Sequence, residues 1–328
     1  MPARSETRSI DAFLTTTLAE YLPTLQDNIF DDVPLLSYLN GKLGKAVNGA
    51  KRMLKGGERI VEPLLYGRNS TAKSYAGAEQ LDTNIQDGIT NAVYDWAQYS
   101  VAISITGLQQ RGNQSTHRLI DLLQAKTTQA ELSIQEILNQ HLWEATVGNN
   151  GKNVTGIPAI IKNSGSLGGI NQATNTWWAS VVDSSGFTFL TSDAGIKAMR
   201  AQFNTLTIGN IGPDILFMTQ AIFEDYEQTG QEDRRYTSNK VLDAGFQTLV
   251  FKGKPVVFDR DMTAGEMYML NGKYLKWVTH QDADLSMTAN GFQTPIGQDT
   301  SVAMILLQAN TTCSNRRRLG QINTITTS

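Results

Sequence analysis

Residues 91–107 read NAVYDWAQYSVAISITG, with Val93, Ala97, Tyr99, Val101, Ile103 and Ile105 on one parity and Tyr94, Trp96, Gln98, Ser100, Ser104 and Thr106 on the other. Successive side chains of a strand point to opposite faces, so this spacing predicts one half-buried strand. At ~3.3 Å per residue it would be about 45 Å long, far beyond the usual length, so it must project past the body that covers its end. Its natural partner is ERIVEPLLYG, residues 58–67, where Pro63 removes a ladder donor and marks an edge strand. About 25 polar residues separate the two arms, and a connection of that length needs a function. Arg59 to Tyr66 is expected to pair with Asn91 to Thr106, leaving Gly67 to Gly77 unburied.

The next segment, STHRLIDLLQAKTTQAELSIQEILNQHLWEATVG, has no internal Pro or Gly; Ser115 is placed to cap it and Gly148 to end it. Leu119, Leu122, Leu123, Ile134, Ile137, Leu138, His141 and Ala145 fall near helical spacing. An unbroken helix of about 33 residues would span ~50 Å, the length of a structural spine. Upstream, Ile10, Phe13, Leu14, Leu18, Tyr21 and Leu22 suit a short amphipathic arm ended by Pro23, and the Gly- and Lys-rich stretch from Gly41 to Arg59 reads as a basic, flexible connector.

From Asn149 onward Gly, Asn and Ser become frequent and a second region begins. GIPAII reads as a short strand, DAGIKAMRAQFNTL as a helix, DILFM as a buried strand, and TQAIFEDYEQ as a helix capped by Thr219. Short β runs follow, with Asn271-Gly272 as a hairpin turn, and the chain ends in one long and one short strand around Arg316, Arg317 and Arg318. The class is α+β.

With 328 residues and 40% hydrophobic content the chain can build two domains, and 28 Lys and Arg against 31 Asp and Glu create no global field toward nucleic acid or an anionic membrane. Cys313 is the single cysteine and has no CxxC partner, which fits a reducing compartment; the apolar runs are far shorter than a membrane span.

No catalytic constellation emerges. His117, His141 and His280 lie far apart without metal-ligand spacing, and SGSLGG lacks the flanking strand and helix of a phosphate loop. The carboxylates of Asp259 and Asp261 would share a strand face, as in a chelating pair, although a turn with solvated charges after PVVF is the plainer reading. The three adjacent arginines suit carboxylates of a neighbouring subunit better than nucleic acid, because no aromatic residues interleave them. Reversing all three is expected to impair assembly and spare folding. Trp143, Trp177, Trp178 and Trp277 read as packing residues.

The order of elements, together with FKGKPVVFDRDMTAGEMYMLNGKYL and ILLQANTTCSNRRRLGQI, resembles tailed-bacteriophage major capsid proteins of the Hong Kong 97 fold over nearly the whole chain. That resemblance implies an N-terminal arm (1–50), an extended hairpin or E-loop (51–112), a peripheral domain of spine helix and closing strands (113–148 and 279–328), and an axial α+β domain (149–278). It implies a non-enzymatic subunit that self-assembles into hexamers and pentamers of an icosahedral shell around double-stranded DNA, in a virion assembled in the host cytoplasm. Its partners would be further copies of itself, a separate scaffolding protein, a portal protein at one vertex, packaged DNA bound without sequence preference, and a decoration protein, with no membrane, metal or cofactor. Candidates for contacts between subunits are Arg59, Arg68, Lys73, Tyr75, Arg316, Arg317 and Arg318. Some relatives crosslink an E-loop lysine to an asparagine; Lys73 is the lysine near the tip, but no partner motif accompanies it and no crosslink is expected. Two alternatives stay open: an encapsulin-type nanocompartment shell, and an α+β enzyme using Asp259 and Asp261.

Overall fold

The computed structural model describes residues 15–16, 18, 33–41, 50–112, 116–189, 193–229, 249–288 and 291–327. Most of the amphipathic arm of residues 10–22, residues 42–49 of the basic stretch, and Ser115 lie outside them.

In chain order the described elements begin with helix α1 (Pro34–Leu39) and strands β1 (Lys51–Leu54), β2 (Ile60–Leu65), β3 (Ile89–Tyr94) and β4 (Ala97–Thr106). Helices α2 (Gly107–Gly112), α3 (Thr116–Leu142) and α4 (Ile157–Ile160) follow, then the small strands β5 (Ser166–Leu167), β6 (Ile170–Asn171) and β7 (Val181–Asp183). Helix α5 (Ala194–Leu206), strand β8 (Ile215–Met218) and helix α6 (Gln220–Gln228) lead to β9 (Leu249–Phe251), β10 (Lys254–Phe258), β11 (Met267–Leu270), β12 (Leu275–Met287), β13 (Thr300–Cys313) and β14 (Gly320–Ile322).

Two sheets make the body. The four-stranded sheet runs β1-β12-β13-β4, and β13 pairs antiparallel with the whole of β4, from Thr300↔Thr106 to Ala309↔Ala97. On one face of this sheet Ile103, Ile105, Ile305 and Leu307 pack with Leu123, Ala130, Ile134 and Leu138 of α3. The six-stranded sheet runs β7-β14-β11-β8-β10-β9. Its central strand β8 is apolar at every position because both of its faces are covered. Ile215 and Phe217 join the α3 core, whereas Leu216 and Met218 face a second core built on Met199, Phe203 and Leu206 of α5 and Ile222, Phe223 and Tyr226 of α6.

Several expectations are corrected. The run 91–107 is two strands, because the buried parity switches between Tyr94 and Ala97: Ala92 and Tyr94 face inward in β3, but Ala97, Ile103 and Ile105 do so in β4. Only β3 pairs with β2, from Ile60↔Tyr94 to Leu65↔Ile89. At the break, Asn310 donates from Nδ2 to the Asp95 carbonyl (2.6 Å), and Trp96 donates from Nε1 to the Gly57 carbonyl (2.9 Å), so side chains replace the ladder there.

Helix α3 stops at Leu142 rather than Gly148, because Trp143 turns inward against Phe217 and Tyr268 (ring centroids 5.7 and 5.5 Å). Residues 51–54 of the supposed connector form β1, which pairs parallel with β12. GIPAII yields a helical turn, with Pro158 near its start, and not a strand. Asn271-Gly272 does not close a hairpin; it passes the chain from β11 in one sheet to β12 in the other. The hairpin of this region is instead β9–β10, turned by Lys252 and Gly253, both at positive φ (49° and 76°).

Candidate assembly surface

Strands β2 and β3 form a two-stranded sheet of their own whose root is fixed to the body by a small core and two polar anchors. Ile60, Leu64, Ala92 and Tyr94 pack with Ile170, Trp178 and Val278, and each fully buried aliphatic side chain contributes about 2 kcal/mol. Glu62 is buried between them; its Oε1 accepts from Arg52 of β1 (2.7 Å) and from the Thr312 hydroxyl of β13 (3.3 Å). From β3, the Tyr94 hydroxyl donates to the Cys313 carbonyl (3.0 Å) and accepts from the Cys313 N–H (3.3 Å). Burial raises the Tyr94 hydroxyl well above its usual range and pushes the Cys313 thiol up to about 12, so neither ionises at neutral pH.

Beyond the root the hairpin narrows to a neck. Tyr66 and Gly67 both donate to the Gly88 carbonyl, and a Cβ on Gly67 would stand 2.9 Å from the Gly88 Cα, so the two backbones meet as closely as they do because neither residue has a side chain. The Tyr66 ring stacks on Trp177 (5.1 Å, 19° between planes). Past the neck, residues 68–87 are exposed apart from half-buried Thr71, and they include Tyr75, Leu81 and Ile85.

The hairpin is apolar on both sides. Its inner face buries Ile60 and Leu64, while its outer face leaves Val61, Leu65 and Ile89 exposed, an open two-stranded edge that a lone chain does not cover. Beside the neck, Leu65, Tyr66, Trp177, Ile208, Arg317 and Arg318 line an open notch of about 360 Å³.

The residues expected to meet neighbours are thus sorted. Arg68, Lys73 and Tyr75 lie on the exposed loop, and Arg59 stands at the hairpin root in an exposed ion pair with Asp95 (3.0 Å). The three arginines separate. Arg317 is exposed in the notch, and Arg318 is half-buried, donating to the Leu206 carbonyl (3.2 Å). Arg316, by contrast, is 1% exposed. Its Nε donates to the Ile160 carbonyl (2.6 Å) and an Nη to the Lys162 carbonyl (3.1 Å), and its guanidinium lies over Trp178. Arg316 therefore closes the end of α4 within its own chain and is not available to a neighbour.

Sequence reasoning missed Leu65, Trp177 and Ile208; the one available signal was IVEPLL, which is apolar on both parities when a strand covered on one face should alternate. Trp177, read as a packing residue, is half-buried and stacks on the neck, unlike Trp143, Trp178 and Trp277, which are buried.

Asp259 and Asp261 come together, but not with solvated charges. Asp259 is buried, and the Asn139 amide of α3 donates to both carboxylates (3.0 and 2.6 Å), tying the spine to the six-stranded sheet. His141 shares a hydrogen bond with the Tyr99 hydroxyl (2.9 Å) and His280 lies edge-on to Trp96. Among the described residues no cluster of His, Cys, Asp and Glu could hold a metal ion, and no helix is long and apolar enough to cross a membrane.

No protein-family model and no curated protein matches this sequence. Solved structures do. The chain superposes on the Cyanophage A-1(L) capsid asymmetric unit with a TM-score of 0.65 at 14% identity, over 90% of this chain and 93% of that one. The fold is the Hong Kong 97-like capsid fold. The Cyanophage P-SCSP1u capsid structure (TM-score 0.53, 10% identity, 85% and 86% covered) and a virus-like particle from Pyrococcus furiosus (0.50, 10%, 93% and 98%) share it.

Proposed function

We propose that this chain is the major capsid protein of a tailed double-stranded DNA bacteriophage, a structural subunit without enzymatic activity. The observation that carries the reading is the hairpin: it is rooted by buried anchors, apolar on both faces, and bare beyond its neck, on a fold shared with phage capsids. A strand pair built this way is a liability for a monomer and an interface for an oligomer.

On this reading residues 51–112 are the E-loop, 113–148 and 279–328 the peripheral domain, 149–278 the axial domain and 1–50 the arm. The part that projects is narrower, because β1 and β4 pair within the body sheet and only residues 60–94 leave it. Copies associate into hexamers and pentamers, and many modest interfaces close the shell. The accompanying partners are a scaffolding protein, a portal protein at one vertex, the packaged genome and a decoration protein, and the mature location is the virion after assembly in the host cytoplasm.

Electron microscopy of the expressed protein tests the reading. Closed shells tens of nanometres across are expected, and a stable monomer at high concentration would sink it. Particles filled with enzyme cargo and free of DNA during infection would instead favour a nanocompartment. The enzyme alternative would use the carboxylates of Asp259 and Asp261, one oxygen of each of which accepts from the Asn139 amide, and Asp259→Asn together with Asp261→Asn should then abolish an activity.

A further inference from the structure

A cavity of about 570 Å³ opens at the hairpin root, walled by the break between β3 and β4, the turn that follows α3, and the β5–β6 turn. That volume lies within the roughly 300–1,000 Å³ usual for small-molecule sites. Much of its rim is backbone in the left-handed region. Asn149, Asn150 and Gly151 follow one another at φ 51°, 55° and 82°, in a turn closed by the Lys152 N–H donating to the Asn149 carbonyl (3.2 Å). Such a run is costly for asparagine and persists only where its surroundings impose it. Gly165, Gly168 and Gly169 of the β5–β6 turn are also at positive φ, and a Cβ at Gly151, Gly165 or Gly169 would meet nothing within 4 Å, so the rim stays open.

The lining leaves no charge uncommitted. Asp95 and Lys162 are its only charged residues among those described; Asp95 pairs with Arg59 (3.0 Å), and the Lys162 ammonium donates to the Ala145 carbonyl. What remains uncommitted is neutral. The hydroxyls of Thr146, Ser164 and Ser166 make no hydrogen bond with any described residue. Asn153, 7% exposed, donates its Nδ2 to Glu144 (3.1 Å), which leaves its amide carbonyl as an acceptor. Trp96 adds an indole ring, fixed by its bond to the Gly57 carbonyl (2.9 Å) and by the edge-on contact with His280.

We propose that this cavity binds a neutral saccharide of one or two rings, packed by its C–H face on Trp96 and hydrogen-bonded through its hydroxyls to Thr146, Ser164, Ser166 and Asn153. Each sugar hydroxyl both donates and accepts, as hydroxyl side chains and an amide carbonyl require of a partner. The indole offers an apolar plane to the ring. An anion such as phosphate would find the one ammonium already engaged and the Asp95 carboxylate in the same wall, so its desolvation would go uncompensated. The site lies within a single chain and does not depend on the shell reading.

The test titrates glucose, N-acetylglucosamine and maltose into the full-length chain and reads saturation transfer from protein to sugar protons by NMR, with glucuronate and inorganic phosphate as charged probes. At least one neutral sugar should bind saturably with a Kd on the order of 1 mM, and neither charged probe should bind as tightly. The triple variant Thr146→Val, Ser164→Ala, Ser166→Ala changes only exposed side chains, so it should keep the wild-type melting temperature and bind at least tenfold more weakly. Trp96→Leu should abolish binding; because it also removes an anchor of the hairpin root, the triple variant is the deciding one. Absence of saturable binding by all three sugars up to about 20 mM overturns the proposal. Undiminished binding by the triple variant places the sugar elsewhere and overturns it too. Tighter binding of phosphate or glucuronate than of any neutral sugar makes the cavity an anion site and has the same effect.

Discussion

Arg316 and Arg317 are adjacent in sequence and opposite in consequence. Arg316 is a buried cation with no carboxylate beside it among the described residues: burial lowers its guanidinium to about 10, so it stays charged at neutral pH and is held by two carbonyls and the Trp178 ring. Removing it strands the Ile160 and Lys162 carbonyls and opens a void, so Arg316→Ala should cost about 3 kcal/mol or more in urea unfolding of the free chain. Arg317→Ala should cost less than about 0.5 kcal/mol. Equal effects would contradict the assignment. Reversing all three arginines should therefore impair folding along with assembly, whereas the sequence reading expected folding to be spared, because three consecutive Arg codes carry no sign of which side chain turns inward.

Asp259 gives the same chain a pH signature. Burial pushes its carboxyl above the usual range, and the Asn139 amide and the Asp261 N–H draw it only part of the way back. A carboxyl raised in the folded state holds a proton that the unfolded chain has released. Its contribution is fully present below the ordinary pKa of about 4 and is lost as pH rises through the raised value. Asp259→Asn lacks this loss, so its Tm minus that of the wild type should increase between pH 4 and 7; a difference that is flat with pH refutes the burial effect.

At the scale of elements, the hairpin is held in shape by the absence of side chains at its neck. Gly67→Val places methyl groups where the Gly88 backbone already lies, so the neck must splay and the Tyr66–Trp177 stack must break. The expected readouts are a loss of protection at the backbone amides of positions 66 and 67 in hydrogen exchange and little change in the body. Gly156 is a harsher case inside the body, where an added Cβ would sit 2.2 Å from the Glu144 carbonyl oxygen. Gly156→Ala should lower stability by about 1–3 kcal/mol in denaturant unfolding.

Much of this level was legible. The spine, DILFM, the α5 helix and the pairing of ERIVEPLLYG with the first part of NAVYDWAQYSVAISITG follow from periodicity alone. What stayed hidden depends on distant partners. The parity switch at Asp95-Trp96 is invisible because Val93 and Ala92 are both apolar, and it is Asn310, more than two hundred residues away, that takes the Asp95 carbonyl. Likewise α3 reads as continuous through Trp143 until the rings of Phe217 and Tyr268 are there to receive the indole. Of the assembly surface, the charged loop residues were readable, whereas the notch joins β2, the Trp177 turn and the β13–β14 connection and exists only in three dimensions.

At the scale of the molecule the projecting tip and the body are separable. Replacing residues 68–87 with a short Gly-Ser link between the Gly67 and Gly88 positions removes no residue of the three buried cores, so the free chain should keep its melting temperature within about 2 °C. The same variant should form no closed shells in electron microscopy. Shells of normal size from it would show that the loop is dispensable.

The body itself is another matter. Alternate side chains of β8 belong to different cores, as do those of β11, where Tyr268 and Leu270 point one way and Met267 and Met269 the other. Neither layer can melt while its neighbour stays intact, because the sheet between them would lose half its support in either case. The free subunit should then absorb heat in a single peak whose calorimetric and van't Hoff enthalpies agree, despite containing what the sequence reads as two regions. In a shell built of such subunits, as proposed above, all-or-none behaviour would let the wall bear load without yielding piece by piece.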